Sequence, residues 1–263
     1  MSQEVVGLIP AGGQGSRLGQ LPCSKEMYPV GWHPTSSGAF FPKVASQYLL
    51  ERMQLAEVSK VFFIVREGKW DIPAYFKDGS ALGLQIAYLI MRLPYGVPYT
   101  LDQAFSFIQN ATVVFGFPDI IFHPSDAFTR LLAKQAETKA DIVLGLFPTN
   151  RPEKSDMVEL DDVGRVRQIV IKPAQTHLRW TWIIAVWTPV FTRFMHEYLF
   201  ERVSALPPEV LAVGAELQLG ALIQAAIRTG LKAETVTFPT GHFLDIGTPD
   251  DLQRALQDST PVV

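Results

Sequence analysis

Val5-Val6-Gly7-Leu8-Ile9-Pro10-Ala11-Gly12-Gly13-Gln14-Gly15-Ser16-Arg17-Leu18, followed closely by Ser24-Lys25-Glu26, decides how this chain is read. Val5 to Ile9 has the length and β-branched content of a buried strand. It runs into a turn holding Gly12, Gly13 and Gly15. Residues without Cβ atoms reach φ > 0 and let backbone N–H groups face a ligand closely. Arg17 and Lys25 place fixed positive charge beside that turn. A polyphosphate on a strand–loop–helix edge fits this arrangement. So does a strand and glycine turn that binds nothing, and the glycines alone leave both open. Two common phosphate loops fit poorly. A Walker A loop ends in Gly-Lys-Ser/Thr, whereas this chain reads Gly15-Ser16-Arg17. A dinucleotide fingerprint has a third glycine where Leu18 stands.

The rest of the chain alternates strand and helix signals without low-complexity linkers or internal repeats. Strands are expected at Val61–Val65, Leu84–Leu89, Thr112–Gly116, Asp141–Phe147, Trp182–Val186 and Leu231–Phe238. Helices are expected at Val44–Leu55, Asp71–Phe76, Leu101–Gln109, Asp126–Glu137, Leu217–Thr229 and Asp250–Leu256. Thr248 would cap the last of these, with Pro249 at its first position. Gly31 to Gly38 reads as an irregular lid or insertion. Apolar strands separated by helices imply a mostly parallel sheet covered by helices on both faces. Met157 to Ile171 reads instead as an antiparallel hairpin turned at Asp161-Asp162-Val163-Gly164.

Composition bounds the function. A chain of 263 residues, 48% hydrophobic, can build one large α/β domain with a sizeable core. A net charge of -3 shows no global basic field, which argues against duplex nucleic acid as a partner. One cysteine, Cys23, excludes an intramolecular disulfide and a cysteine-cluster metal site, and reads as a small packing residue. The start of the chain, with Glu4 and a short apolar run, is unlike a secretory signal. No apolar stretch approaches the roughly 20 residues of a spanning helix. A soluble protein of the reducing cytoplasm is the expectation. His33, His123, His177, His196 and His242 are scattered without metal-ligand spacing.

Ala11-Gly12-Gly13-Gln14-Gly15-Ser16-Arg17-Leu18 with Ser24-Lys25-Glu26 resembles the signature of the sugar-1-phosphate nucleotidyltransferases, the nucleotide-sugar pyrophosphorylases. The likeness continues in order along nearly the whole chain. Phe115-Gly116-Phe117-Pro118-Asp119 stands where that family has a strand ending in Gly-Asp. Met157-Val158-Glu159-Leu160-Asp161, Gly164-Arg165-Val166 and Lys172-Pro173 resemble its "V-V-E-x-D, G-x-V, E-K-P" stretch. Phe243-Leu244-Asp245-Ile246-Gly247-Thr248-Pro249 resembles its "W-x-D-I-G-T-P" box. The resemblance, closest to glucose-1-phosphate thymidylyltransferase-like enzymes without a C-terminal β-helix, implies one Rossmann-like three-layer α/β domain over 1–263. Residues 1–125 would form mainly the nucleotide-binding half. Residues 126–263 would form mainly the sugar-phosphate half, with the antiparallel hairpin as its sugar-binding subregion.

The resemblance also implies a reaction and its residues. A sugar-1-phosphate oxygen attacks the α-phosphorus of a nucleoside triphosphate, and pyrophosphate leaves. Leu8, Ala11, Gly12, Gly13, Gly15 and Ser16 would contact the nucleotide, and Arg17 would hold its outer phosphates. Lys25 would neutralise the α-phosphate and the attacking group. Tyr95 and Thr100 are candidates to line the base. Asp119 and Asp245 would ligate Mg²⁺, a hard cation that suits carboxylate oxygens and bridges phosphates. Asp156, Glu159, Lys172 and Glu216 would bind the sugar phosphate. On the residues alone Asp119 and Asp245 read first as turn caps rather than metal ligands, and Lys172 has a solvated surface lysine as its alternative.

The departures from the family matter too. Ile171 replaces a glutamate that usually binds a sugar hydroxyl, Asp156 replaces a glycine, and Trp182-Ile183-Ile184-Ala185-Val186 replaces "T-G-x-Y". Losing hydroxyl-binding groups and gaining bulk should change the acceptor. A deoxysugar, cyclitol or other modified phosphate is expected rather than plain glucose-1-phosphate. Two further readings stay open: a non-catalytic nucleotide-sugar-binding relative, and a nucleotidyltransferase with a non-sugar acceptor. By analogy with relatives, the chain is expected to self-associate; no membrane partner is expected.

Overall fold

The computed structural model describes residues 3–13, 15–34, 38–91, 96–205 and 216–257. In chain order the first half holds β1 (Val5–Ala11), β2 (Pro29–Pro34), β3 (Phe40–Val44), α1 (Ala45–Leu55), β4 (Lys60–Arg66) and α2 (Asp71–Phe76). It continues through β5 (Gln85–Met91), α3 (Val97–Asp102), α4 (Phe105–Ile108), β6 (Thr112–Gly116) and β7 (Ile120–His123). The second half holds α5 (Ala127–Thr138), β8 (Ile142–Pro148), β9 (Met157–Leu160), β10 (Val166–Val170) and β11 (Trp180–Trp187). It closes with α6 (Pro189–Ala205), α7 (Leu219–Arg228), β12 (Ala233–Thr237), β13 (His242–Asp245) and α8 (Pro249–Gln257).

Nine strands form the central sheet, in the order β10-β9-β11-β6-β1-β4-β5, with β8 and β12 branching from β11. β1, β4, β5 and β6 pair in parallel, as do β8 and β12. β10 and β11 run against the rest. This is the mostly parallel α/β architecture expected from the sequence. Its period-two side chains build two cores. Val6 and Leu8 of β1 join Leu101, Phe191 and Leu222 from α3, α6 and α7 on one face. Ile9 and Ala11 join Leu49, Ile72 and Phe128 from α1, α2 and α5 on the other. Helices therefore cover both faces, and strands buried on both sides read as continuous apolar runs.

Three local expectations are corrected. Gly31 to Pro34 is not an irregular lid: it lies in β2, paired antiparallel with β3 through Trp32↔Pro42 and His33↔Phe41. Pro34 and Pro42 suggest a break, but an isolated two-stranded ribbon has free edges, where a missing N–H costs nothing. Residues 35–37, at the centre of the expected lid, lie outside the described residues. The single helix expected at Leu101–Gln109 is two short helices, and the first begins earlier because Pro98 favours a helical first turn. β7 was not expected. It is only four residues long and is defined by its antiparallel partner β13 rather than by local pattern.

Among the described residues, no helix is long and apolar enough to cross a membrane. Cys23 is partly buried against the second core, as a packing residue would be. Phe191 is fully buried, with Phe194 and Tyr198 packed beside it.

Candidate active site

The glycine loop leaves the carboxyl end of β1 and closes as a short helical turn, with the Leu18 N–H donating to Gly15 O at 3.0 Å. Gly15 sits at φ +66, a left-handed conformation that side chains disfavour. Gly12 meets a different demand. A Cβ there would lie 2.9 Å from Met91 Sδ and 3.4 Å from Thr100 Oγ1, so α3 packs directly on the loop. Thr100 is thereby buried beside it, its hydroxyl donating to Gly96 O at 3.2 Å.

Lys25 is delivered by a second short turn, Lys25–Met27, whose start is tied down from outside. The Ser24 N–H and hydroxyl both donate to Asp71, at 2.6 and 2.7 Å. Next in sequence, Glu26 is 1% exposed and takes Lys69 Nζ on both oxygens, at 2.7 and 2.9 Å. Its backbone carbonyl accepts from the Ser46 hydroxyl at 2.8 Å. Burial pushes the Glu26 carboxyl above its usual range despite the ammonium beside it. So anchored, the turn points Lys25 at Asp119: Nζ lies 2.5 Å from Oδ2.

Asp119 follows β6, and its carbonyl accepts from the Ile246 N–H at 3.0 Å. Asp245 ends β13, in register with Ile120 of β7. The β7–β13 ribbon thus brings together two aspartates far apart in sequence. Their charges interact strongly. Burial works to raise the Asp119 carboxyl, but Lys25 overrides it by charge and hydrogen bond, and Asp119 sits below its ordinary value. Asp245 is pushed up to about 6, first by burial and then by the charge of Asp119. Lys25, the Gly247 N–H and Arg17 only partly oppose that rise. For Lys25, burial alone would lower the ammonium, but the surrounding carboxylates raise it.

One cleft of about 380 Å³ joins these parts. Of the expected nucleotide and metal residues, Gly12, Gly13, Gly15, Arg17, Lys25, Thr100, Asp119 and Asp245 line it. From the expected sugar-phosphate set, Asp156, Lys172 and Glu216 also line the cleft. Lys172 adopts φ +40, and its ammonium donates to Gln218 at 3.2 Å. Burial raises the Asp156 carboxyl, opposed by Lys172. Asp156 lies opposite the start of β11, with the Thr181 hydroxyl donating to its carbonyl at 3.0 Å.

Other expected residues fall elsewhere. Leu8 and Ala11 are fully buried on opposite faces of the sheet, and their side chains do not line the cleft. Glu159 is not brought to the cleft; it pairs with Arg167 across β9 and β10 at 3.2 Å. Ser16 begins the turn after Gly15. Tyr95 lies outside the described residues. Sequence reading missed the Glu26–Lys69 pair and the cleft residues Phe117, Gln218 and Asp251. Trp182, which the sequence marks only as added bulk, also lines the cleft. Its Nε1 and Asp156 Oδ1 are buried without a hydrogen-bond partner among the described residues. No local pattern marks the Glu26–Lys69 pair, because its members meet only through the fold.

The family model for nucleotidyl transferase matches residues 6–261. The chain is similar to the low-salt glycan biosynthesis nucleotidyltransferase Agl11 of Haloferax volcanii, at 23% identity over 95% of this chain and 65% of that protein's length. It thus spans less than two thirds of that relative. It is 24% identical to a glucose-1-phosphate thymidylyltransferase of Neisseria meningitidis, covering 95% of this chain and 80% of that one. Two solved structures share the fold. A Bacillus anthracis structure, assigned as a glucose-1-phosphate thymidylyltransferase and solved with a sucrose, superposes with a TM-score of 0.81 at 18% identity, covering 98% of this chain and 96% of that one. The inositol-1-phosphate CTP transferase of T. maritima superposes with a TM-score of 0.72 at 18% identity, covering 99% and 97%. With the glycine loop, Lys25 and the paired aspartates in one cleft, and a family match running almost from end to end, this chain belongs to the nucleotidyl transferase family.

Proposed function

We propose that this protein transfers a nucleotidyl group from a nucleoside triphosphate to a sugar or sugar-like phosphate. The observation that carries this reading is the convergence of Arg17, Lys25, Asp119, Asp245 and Lys172 on one cleft beside the glycine loop. In the reaction an oxygen of the acceptor phosphate forms a bond to the α-phosphorus. The bond from that phosphorus to the bridging oxygen of the β-phosphate breaks, and pyrophosphate leaves with the electron pair. Catalysis of this kind is mostly alignment and charge neutralisation. The loop would seat the triphosphate. Arg17, a planar fork, would hold the outer phosphates. Lys25 would meet the charge on the α-phosphate, and Lys172 that on the acceptor.

Asp119 and Asp245 have the chemistry to hold a divalent cation such as Mg²⁺. Burial and then the charge of Asp119 push Asp245 up to about 6, and a cation between the two carboxylates would offset their repulsion. Two carboxylates are only part of a coordination shell, and such a cation would keep waters and take its remaining ligands from phosphates. Bound there, it would neutralise phosphate charge.

The acceptor we favour is a cyclitol or modified sugar phosphate, because Asp156 and Trp182 line the cleft at positions where the family pattern has other residues; Ile171, the third departure, packs against the first core and does not line the cleft. The structural likeness to an inositol-1-phosphate CTP transferase supports including cyclitols. We assign the nucleotide mainly to residues 1–125 and the acceptor mainly to residues 126–263. A reducing cytoplasmic setting suits the single cysteine. The test is pyrophosphate release with Mg²⁺, crossing the common nucleoside triphosphates with sugar and cyclitol 1-phosphates, beside an Asp119→Asn control. Turnover by one pair that disappears in the control establishes the reaction. Nucleotide binding with silence across the panel would favour a binding protein without turnover.

A further inference from the structure

Between the loop after β8 and helix α8 lies a second cavity, of about 530 Å³. It adjoins the catalytic cleft, sharing Lys154, Ser155, Phe243, Asp245 and Asp251 as common wall. The glycine loop, Arg17 and Lys25 have no part in it. Four cations line it, Arg151, Lys154, Arg179 and Arg254, with His242 beside them, against two carboxylates, Asp245 and Asp251.

Three of these cations crowd one carboxylate. Arg151 donates to Asp251 Oδ1, Lys154 Nζ lies 3.0 Å from Oδ2, and Arg254 lies 3.7 Å from Oδ1. Asp251 neutralises one positive charge of the three. Arg179 adds a fourth cation and has no ion-pair partner among the described residues. The Thr149 N–H donates to its carbonyl at 3.1 Å, which ties its backbone to the loop after β8. A clamp between that loop and α8 needs Asp251 and one or two cations. It does not need Arg179 and Arg254, which are exposed.

Like charges gathered on a concave wall repel one another, and the wall focuses their field on whatever anion enters. Guanidinium forks match the oxygens of a phosphoryl group two at a time, which they do not do for a halide. Asn150, Thr149 and Ser155 supply neutral polar groups on the same wall. We infer that this chamber is an accessory anion site for a phosphoryl dianion, carried either by inorganic phosphate or by a phosphorylated small molecule, separate from the phosphate-binding loop.

The test titrates inorganic phosphate into the full chain by calorimetry at low ionic strength, in parallel arms with a nucleoside diphosphate and a sugar phosphate. Two variants separate the sites: Arg179→Ala/Arg254→Ala alters the chamber, and Arg17→Ala alters the cleft. Binding rather than turnover is read, so the outcome does not depend on the proposed reaction. Phosphate affinity should fall at least about tenfold in the chamber variant and change less than about twofold in Arg17→Ala. Arg179→Lys/Arg254→Lys, which keeps charge but loses the forks, should fall in between. Tighter binding of an organophosphate that is lost with the same two arginines identifies a phosphorylated molecule as the occupant. Preference for inorganic phosphate identifies the free ion. Absence of saturable phosphate binding, or loss through Arg17→Ala alone, would overturn the site. Circular-dichroism melts establish that both variants stay folded.

Discussion

Lys25 Nζ lies 2.5 Å from Asp119 Oδ2, across 94 positions of sequence, and the two side chains are only 16% and 13% exposed. The pair couples the turn after the glycine loop to the strand end that carries the carboxylate. Each group holds the other charged against the burial that opposes it. In Lys25→Met, Asp119 is left without its partner and its carboxyl should climb. Nucleotidyl transfer should drop by about 100-fold or more, as when one preorganised positive group is removed from a charged transition state. Pyrophosphate-release kinetics check this, and an unaltered rate would take Lys25 out of the reaction.

Asp245 should titrate near 6 in cation-free protein, well above Asp119. A carbon-13 NMR titration of labelled aspartates in the presence of a chelator reads this directly. Asp119→Asn removes one of the two causes of the rise, so the midpoint should move down while burial keeps it above the ordinary carboxyl value. The sign for stability follows. A carboxyl raised on folding favours the folded state at low pH, and that contribution fades as pH rises through about 6.

Asp251 has the opposite sign. Burial works to raise it, but the Thr248 hydroxyl, Arg151 and Lys154 together hold it down at about 2. Its stabilising contribution is complete above the unfolded carboxyl value of about 3.9 and is lost as pH falls toward 2. Melting temperatures between pH 6 and pH 2.5 should fall less steeply in Asp251→Asn than in the wild type. Parallel curves would mean that Asp251 adds nothing to acid sensitivity.

The buried Glu26–Lys69 pair should act as a positioning device for Lys25. Lys69→Met strands a carboxylate that is 1% exposed, and should cost about 3 kcal/mol in urea unfolding. Glu26→Leu/Lys69→Met removes both charges and should recover most of that stability. If activity stays low in the stable double variant, the pair's contribution is orientation of the neighbouring turn. If activity returns along with stability, the pair is structural only.

Asp156 and Trp182 occupy positions where the family pattern has other residues, and each holds a buried polar atom without a partner among the described residues. Asp156→Asn and Trp182→Phe should each lower acceptor kcat/KM by about tenfold or more and leave the nucleotide KM unchanged. A matched rise in nucleotide KM would place them outside the acceptor pocket.

Local chemistry made much of this legible in the sequence. The apolar run Val5 to Ile9, the glycines at 12, 13 and 15, and the alternation of strand and helix signals depend on backbone freedom and on the period of side-chain burial. Both are properties of short segments, so the α/β class and the loop could be read directly. Gly31–Pro34 misled because glycine and proline signal breaks locally, while pairing with Phe40–Val44 is a tertiary event.

The candidate site was legible as a set of residues and not as an arrangement. Sequence order places Lys25, Asp119 and Asp245 far apart, and nothing local dictates that β7 and β13 pair to bring the aspartates together. Burial and charge pairing then decide the electrostatics: Lys25 holds Asp119 low against its burial, while burial and the charge of Asp119 lift Asp245 to about 6, although the two residues are chemically identical. Sheet register likewise sends Glu159 to Arg167 and away from the cleft, while Asp156, three residues earlier, lines it. The sequence by itself determined which chemical groups this protein has and which local conformations it favours. Only the tertiary structure decided which of those groups share a low-dielectric space, because burial and charge coupling depend on distance through the fold and not along the chain.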